Sequence, residues 1–175
     1  MNQFSYKGQS PKIKESCFLA SGCQLIGDLE LEENVNIWFN TVIRADVAPI
    51  KIAKDTNIQD LSMLHVTEGH PLLIGENNTI GHSVTLHSCQ IGNNNLIGMG
   101  ATLLDDSKIG NFSIVAAGSV VSPNKTFPDR SMIMGIPARA IRELTDQEID
   151  MLYNHYKNYL NYSNDYKNQS QKLSL

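Results

Sequence analysis

Three of the five histidines, His65, His82 and His87, fall within one stretch of 23 residues. A lone histidine is usually an ordinary surface residue. Three convergent neutral imidazoles suit zinc, with iron or cobalt as alternatives, and leave a fourth coordination position open for water, which marks a catalytic centre more than a structural one. The other two histidines, His70 and His155, read as surface or packing residues, and Cys89, close to His87, reads as a packed thiol. Whether the three converge depends on the elements that carry them.

Those elements come from an internal repeat. Ile-Gly dipeptides begin at residues 26, 74, 80, 91, 97 and 109, and aliphatic residues fill the intervals from Ile26 to Val121 in strides that are mostly six. Two strides are five (26→31 and 86→91) and two are longer (43→52 and 64→74). A small residue sits two places before many of the aliphatic ones: Thr41, Thr56, Ser62, Ala101, Ser107, Ser113 and Ser119. Residues two apart on a strand share a face, so both columns point inward. A period of six held in two columns predicts an all-β solenoid, a parallel β-helix of hexapeptides with about five coils over roughly residues 20–125. Gly135-Ile136-Pro137-Ala138 ends it with a turn. Thr145-Asp146-Gln147-Glu148 is a capping box, followed by Ile149, Leu152, Tyr153, Tyr156, Tyr159 and Leu160 at helical spacing. The expected organisation is a β-helix domain over 1–143 with an N-terminal lead-in, a C-terminal α-helix over 144–166 packed on the solenoid, and a polar tail over 167–175.

The strides place the histidines. Three strides make one coil, so Leu86 lies one coil above Leu64, and His87 stands above His65, both pointing outward. Neighbouring strands are about 4.8 Å apart, close enough for two imidazoles to share one ion. One coil below, Arg44 follows Ile43 in the same column. His82 lies a whole stride earlier, about 15 Å or more along the coil at about 3.3 Å per residue, with Asp60 one coil beneath it and Gln59 beside Asp60. His82 of the same chain therefore does not easily join His65 and His87, whereas His82 of a second copy can, as a triangular prism packed in a trimer would allow.

Composition narrows the function. Fourteen Lys plus Arg against 18 Asp plus Glu give a net charge of −4, with neither the basic patch of a nucleic-acid binder nor that of a membrane-surface protein. Three cysteines without a paired motif fit a reducing, cytoplasmic setting. No apolar run is long enough to span a bilayer, and the first residues lack a signal-peptide core.

The segments Ile37-Trp38-Phe39-Asn40-Thr41-Val42-Ile43-Arg44-Ala45-Asp46, Asn57-Ile58-Gln59-Asp60, Leu64-His65-Val66-Thr67, Gly81-His82, Leu86-His87 and Ile97-Gly98-Met99-Gly100 resemble the γ-class carbonic anhydrase-like family of hexapeptide-repeat proteins, over about residues 10–165. The resemblance implies a left-handed coil, a homotrimer, and a metal at each interface held by two histidines of one subunit and one of the next. It implies that Arg44 and Asp46 form ion pairs organising the interface. Gln59 would orient the metal-bound water, with Asp60 beside it and Asn57 helping to place CO2, and Tyr159 would reach the site from the helix. The implied reaction is reversible hydration of CO2 to bicarbonate by a hydroxide generated on the metal. Two departures stand out. Position 45 is Ala where the family usually has Gly, and Val47 stands where the prototype enzyme carries a proton-shuttling glutamate, with Glu68-Gly69-His70-Pro71 too short for its acidic loop. Two alternatives follow: a CoA-thioester hydrolase or hexapeptide acyltransferase-type enzyme, and a catalytically weak metal-binding trimer serving as an assembly subunit.

Overall fold

The computed structural model describes residues 2–172. It is a parallel β-solenoid of about seven turns with one C-terminal helix. Among the described residues, twenty short strands form two sheets. A twelve-stranded sheet wraps two faces of the prism, because the strands Gln24–Leu31 and Val42–Ile52 bend round a corner without a break. An eight-stranded sheet makes the third face.

The coils stack in register, and each face buries one aliphatic column. Leu19, Ile37, Ile58, Ile80, Ile97, Val115 and Ile133 follow one another on the third face. Leu25, Ile43, Leu64, Leu86, Leu103 and Val121 do so on the first. All seven small residues two places before these columns are buried. The corners are turned by residues with positive φ, spaced by about six and mostly Asn, Asp, Ser or Gly, which tolerate the left-handed region best. Lys7 (φ 47°), Leu61 (φ 62°), Phe112 (φ 51°) and Arg130 (φ 61°) are the exceptions.

Three features differ from the sequence reading. Leu25, not Ile26, points into the core and pairs with Ile43, so the first stride is six and the irregularity at 26→31 disappears. The solenoid also extends past both expected ends. A first coil is built from Asn2–Phe4 and Lys12–Ile13, which lack the Ile-Gly signature, and the six-residue stride continues from Val121 through Phe127 to Ile133. Finally, the helix, α1 (Asp146–Lys172), runs on past residue 166. Of the tail expected over 167–175, residues 167–172 are helical; 173–175, like Met1, lie outside the described residues.

The two long strides are excursions at one corner. Opposite the single residue Asp28, four residues, 46–49, bulge out between Ala45 and Ile50. Gly27 (φ 79°) sits beneath, where a Cβ would lie 2.1 Å from the Ala45 carbonyl oxygen. Ala45 itself is buried in the strand Val42–Ile52, so its methyl group is accommodated without a special backbone conformation. One coil up, a turn between Thr67 and His70 makes the second excursion.

The turn at Ile136-Pro137 contains a cis peptide and links the strands Ser131–Gly135 and Ala138–Glu143 in an antiparallel hairpin. The capping box is present: Glu148 N–H donates to Thr145 Oγ1 (3.3 Å), and Thr145 N–H donates to Glu148 Oε2 (2.9 Å). Arg142 donates to both Glu148 oxygens. α1 then runs back along the third face. Ile149 and Leu152 bury against Leu96, Phe112, Ile114 and Met132, Tyr159 meets Trp38 two coils or more away, and Lys167 Nζ donates to the Ser16 carbonyl (2.7 Å). At 1.5 Å per residue, 27 residues reach about 40 Å, enough to cross seven coils about 4.8 Å apart. None of the described helix is long and apolar enough to cross a membrane.

Two outcomes test this architecture. Ile58→Ala and Leu86→Ala each empty a fully buried site and should cost about 2–5 kcal/mol, read as a lower urea midpoint. The hydrogen bonds from Arg142 and the Thr145 N–H hold the Glu148 carboxyl at about 2, below its ordinary 4.5. Because the folded value is depressed, its contribution is complete above pH 4.5 and is lost as pH falls towards 2. Glu148→Gln should therefore flatten the acid side of the thermal-stability profile in that window.

Candidate metal centre

The strand register pairs Arg44 with His65 and His65 with His87 directly across adjacent coils. His65 Nδ1 and His87 Nε2 lie 3.1 Å apart. The other nitrogen of each ring meets a carboxylate: His65 Nε2–H donates to Asp46 Oδ1 (3.2 Å) and His87 Nδ1–H donates to Asp105 Oδ1 (2.9 Å). A carboxylate can only accept, so each fixes its imidazole tautomer. The two nitrogens that face each other are then both lone-pair bearers, and only a proton or a cation between them reconciles the pair. A tetrahedral ion about 2.0–2.1 Å from each nitrogen requires them to be roughly 3.3–3.4 Å apart, close to the observed spacing. The residues present fit a metal of this class, each ligand with the carboxylate partner such imidazoles commonly have.

Electrostatics agree with that state. Burial is the largest influence on His65 and holds its pKa below the ordinary value, favouring the neutral ring. Partial burial pushes the Asp46 carboxyl up, but hydrogen bonds from Arg44 and His65 outweigh it, leaving the group below its ordinary value. Asp105 behaves likewise, with Thr67 and His87 donating against the effect of burial. Arg44 and Asp46 form a close ion pair within the chain.

His82 sits on another corner, in the turn after the strand Thr79–Ile80. Its Nδ1–H donates to Asp60 Oδ2 (2.7 Å), leaving Nε2 bare. Asp60 also accepts the Phe39 N–H (3.3 Å). Among the described residues, no three His, Cys, Asp or Glu side chains of one chain are placed to hold a metal together. The fold thus brings His65 and His87 together and holds His82 apart from them.

Gln59, His82 and Tyr159 line a cleft of about 540 Å³ between α1 and the third face, floored by Gly81, Gly98 and Ala117. Asn57 is buried beside Gln59 and accepts its amide N–H (3.1 Å). Tyr159 packs edge-on against Trp38, centroids 5.6 Å apart, and burial raises its pKa. Val47 is exposed on the 46–49 excursion, in a second hollow with Asp28, Asp46 and Glu68. His70 Nδ1 lies 2.9 Å from Asp106 Oδ1. Cys89 is fully buried and its thiol is pushed up to about 12 by desolvation, the state of a packing residue.

Asp105 was not singled out by the sequence reading. A usable signal existed: Leu103 stands one coil above Leu86, which carries Leu104 and Asp105 to the edge above His87. His155, read from the sequence as a surface or packing residue, lies half-buried with its Nδ1 3.1 Å from the Thr79 hydroxyl.

Comparison with known proteins fits this picture. The family model "Bacterial transferase hexapeptide (six repeats)" matches residues 88–123. Gamma carbonic anhydrase 2, mitochondrial, of Arabidopsis thaliana is 36% identical over 98% of this chain, which spans 63% of that relative's length. A carbonic anhydrase of Geobacillus kaustophilus is 41% identical over 83% of this chain and 80% of its own. In three dimensions, a Bacillus cereus protein described as a candidate acetyltransferase superposes with a TM-score of 0.93 at 40% identity, covering 96% of this chain and 98% of that one. With a relative this similar aligned over about four fifths of both chains, the chain belongs to the γ-class carbonic anhydrase-like family of hexapeptide-repeat proteins.

Proposed function

We propose that this chain is a metal-dependent carbonic anhydrase-like enzyme that interconverts CO2 and bicarbonate at sites closed between the subunits of a homotrimer. The observation that carries the reading is the tautomer pattern. Each of His65, His82 and His87 gives its N–H to a carboxylate and keeps its other nitrogen bare. The similarity to proteins named carbonic anhydrase supports the chemistry.

His65 and His87 of one copy, with His82 of a neighbour, would hold zinc, with iron or cobalt as alternatives. When bound, such an ion supplies Lewis acidity and an acidified water at neutral pH. The chain's own residues do the rest. Gln59 offers its amide carbonyl to orient the reacting water, and Asn57 holds that amide in place. Asp60 fixes His82 and stands beside Gln59. Tyr159 closes the cleft from the helix side. The Arg44–Asp46 pair anchors His65 and organises the corner that meets the neighbouring copy. A reducing compartment such as the cytoplasm suits the three free cysteines.

A second reading, a catalytically weak metal-binding trimer that serves as an assembly subunit, draws on Val47. An exposed aliphatic group cannot export the proton that each turnover releases. Glu68 lines the same hollow, with Asp28 and Asp46, and is a carboxylate available for that task.

The test is metal analysis of anaerobically purified protein, followed by stopped-flow CO2 hydration on the same sample. A metal ion per chain, a trimeric mass, and hydration abolished by His65→Ala or His82→Ala are expected. A metal-loaded trimer with no hydration above buffer would overturn the enzymatic reading in favour of the assembly role, and saturable CoA binding by calorimetry would favour acyl chemistry. Asp105→Asn disturbs the tautomer of His87 and should weaken metal affinity about 10–100-fold, measured by competition with a chromophoric chelator.

A further inference from the structure

The interface between α1 and the third face is apolar at one end and aromatic at the other. Between the two, at a position on the same helical stripe as Ile149, Leu152 and Tyr159, stands His155. Its Nδ1 lies 3.1 Å from the hydroxyl of Thr79, a residue that is 2% exposed. A polar group in such a seam costs stability unless it is paired, and this pairing has a direction.

The direction is set by a backbone carbonyl. Asn57 Nδ2 donates to the Asn78 carbonyl oxygen (3.1 Å), which can only accept, so the nitrogen end of the Asn57 amide is fixed. The second proton on Nδ2 goes to Thr79 Oγ1 (3.0 Å). Thr79 Oγ1 therefore accepts from Asn57, and its own hydrogen is available to donate to His155 Nδ1. In that arrangement His155 is the tautomer that is bare at Nδ1 and protonated at Nε2. On the other side, Asn57 Oδ1 accepts from Gln59 Nε2, which leaves Gln59 Oε1 without a partner among the described residues and belonging to the cleft beside His82.

We propose that His155 is a positioning residue: through Thr79 and Asn57 it holds the Gln59 amide with its carbonyl oxygen presented to the cleft as an acceptor. A presented carbonyl can take a hydrogen bond from a water or hydroxyl and cannot give one. It thereby turns the lone pairs of that oxygen away from itself and towards an electrophile. Without an acceptor at His155, the Thr79 hydroxyl is free to rotate and its lone pair is no longer held on Asn57 Nδ2, so one of the two contacts that seat the Asn57 amide, and through it Gln59, is weakened. This deepens the proposed function and rests on it for the identity of the reaction, but the hydrogen-bond order stands independently of the reaction.

Two measurements separate the two. Long-range proton–nitrogen NMR on the wild-type protein should show His155 protonated at Nε2, and the Gln59 side-chain amide signal should move in Thr79→Val and His155→Leu. It should hold in His155→Asn, whose oxygen replaces Nδ1 as the acceptor. In CO2 hydration, Thr79→Val and His155→Leu should each lower kcat about tenfold with KM little changed, the double variant should lose no more than either single one, and His155→Asn should recover most of the loss. A wild-type His155 protonated at Nδ1, additive losses, or His155→Asn as impaired as His155→Leu would overturn the proposal. If wild-type protein shows no hydration at all, the reaction assignment fails while the NMR arm still decides the role of His155. Thr79→Ser, which keeps the hydroxyl, serves as the control should a variant fold poorly, and it should leave the Gln59 signal in place.

Discussion

Everything in this molecule follows from in-register stacking of successive coils. Each strand hydrogen-bonds to the equivalent strand above and below, so a residue's phase within the coil fixes its neighbours for the whole length of the prism. The aliphatic column on the inside and the Arg44–His65–His87 column on the outside are two consequences of one register. A slip of one residue would send every side chain to the opposite face, losing core and site together. The fully buried Leu64 and Leu86 therefore do more than fill space, because they hold the two imidazoles that follow them at a strand's separation.

Upon that frame, short-range polar contacts decide what the side chains can do. Asp46, Asp60 and Asp105 are each part of a corner excursion or turn, and each accepts a hydrogen bond from the N–H of one imidazole. The same logic recurs in neutral form along Thr79, Asn57 and Gln59, where a main-chain carbonyl sets the order of the amides. In both networks a group that can only accept imposes direction on groups that can do either. The orientation is built into the folded chain and need not be assembled when a ligand arrives.

Much of this was legible in the sequence because a six-residue period leaves so little freedom. The fold, the helix with its capping box, and the stacking of His65 under His87 can all be counted off. The errors have physical causes. Ile26 looked like a core residue because it precedes a glycine, yet Leu25 beside it is equally apolar and has the correct phase. The first coil lacks the period because it sends a single aliphatic residue, Ile13, against the core, Phe4 being exposed, and its two strands are separated by an excursion held by a Tyr6–Gln9 bridge. Asp105 and Thr79 matter through contacts made across coils or with a helix some 75 residues away. A period predicts who is stacked on whom, but not which polar atom of a neighbour a side chain selects.

Solenoids hold together through nearest-neighbour contacts, so their ends tend to fray independently of their middles. In this chain α1 starts against the coil of Phe112 and Met132 and finishes with Lys167 bonded to Ser16, 151 residues away in sequence. It acts as a strap that ties one end of the array to the other. Unfastening any one coil then disturbs a contact shared by distant coils, so the stack is coupled along its length as well as between neighbours. The corner bearing His65 and His87 lies in the middle of the span thus braced, so it is shielded from fraying that begins at either terminus.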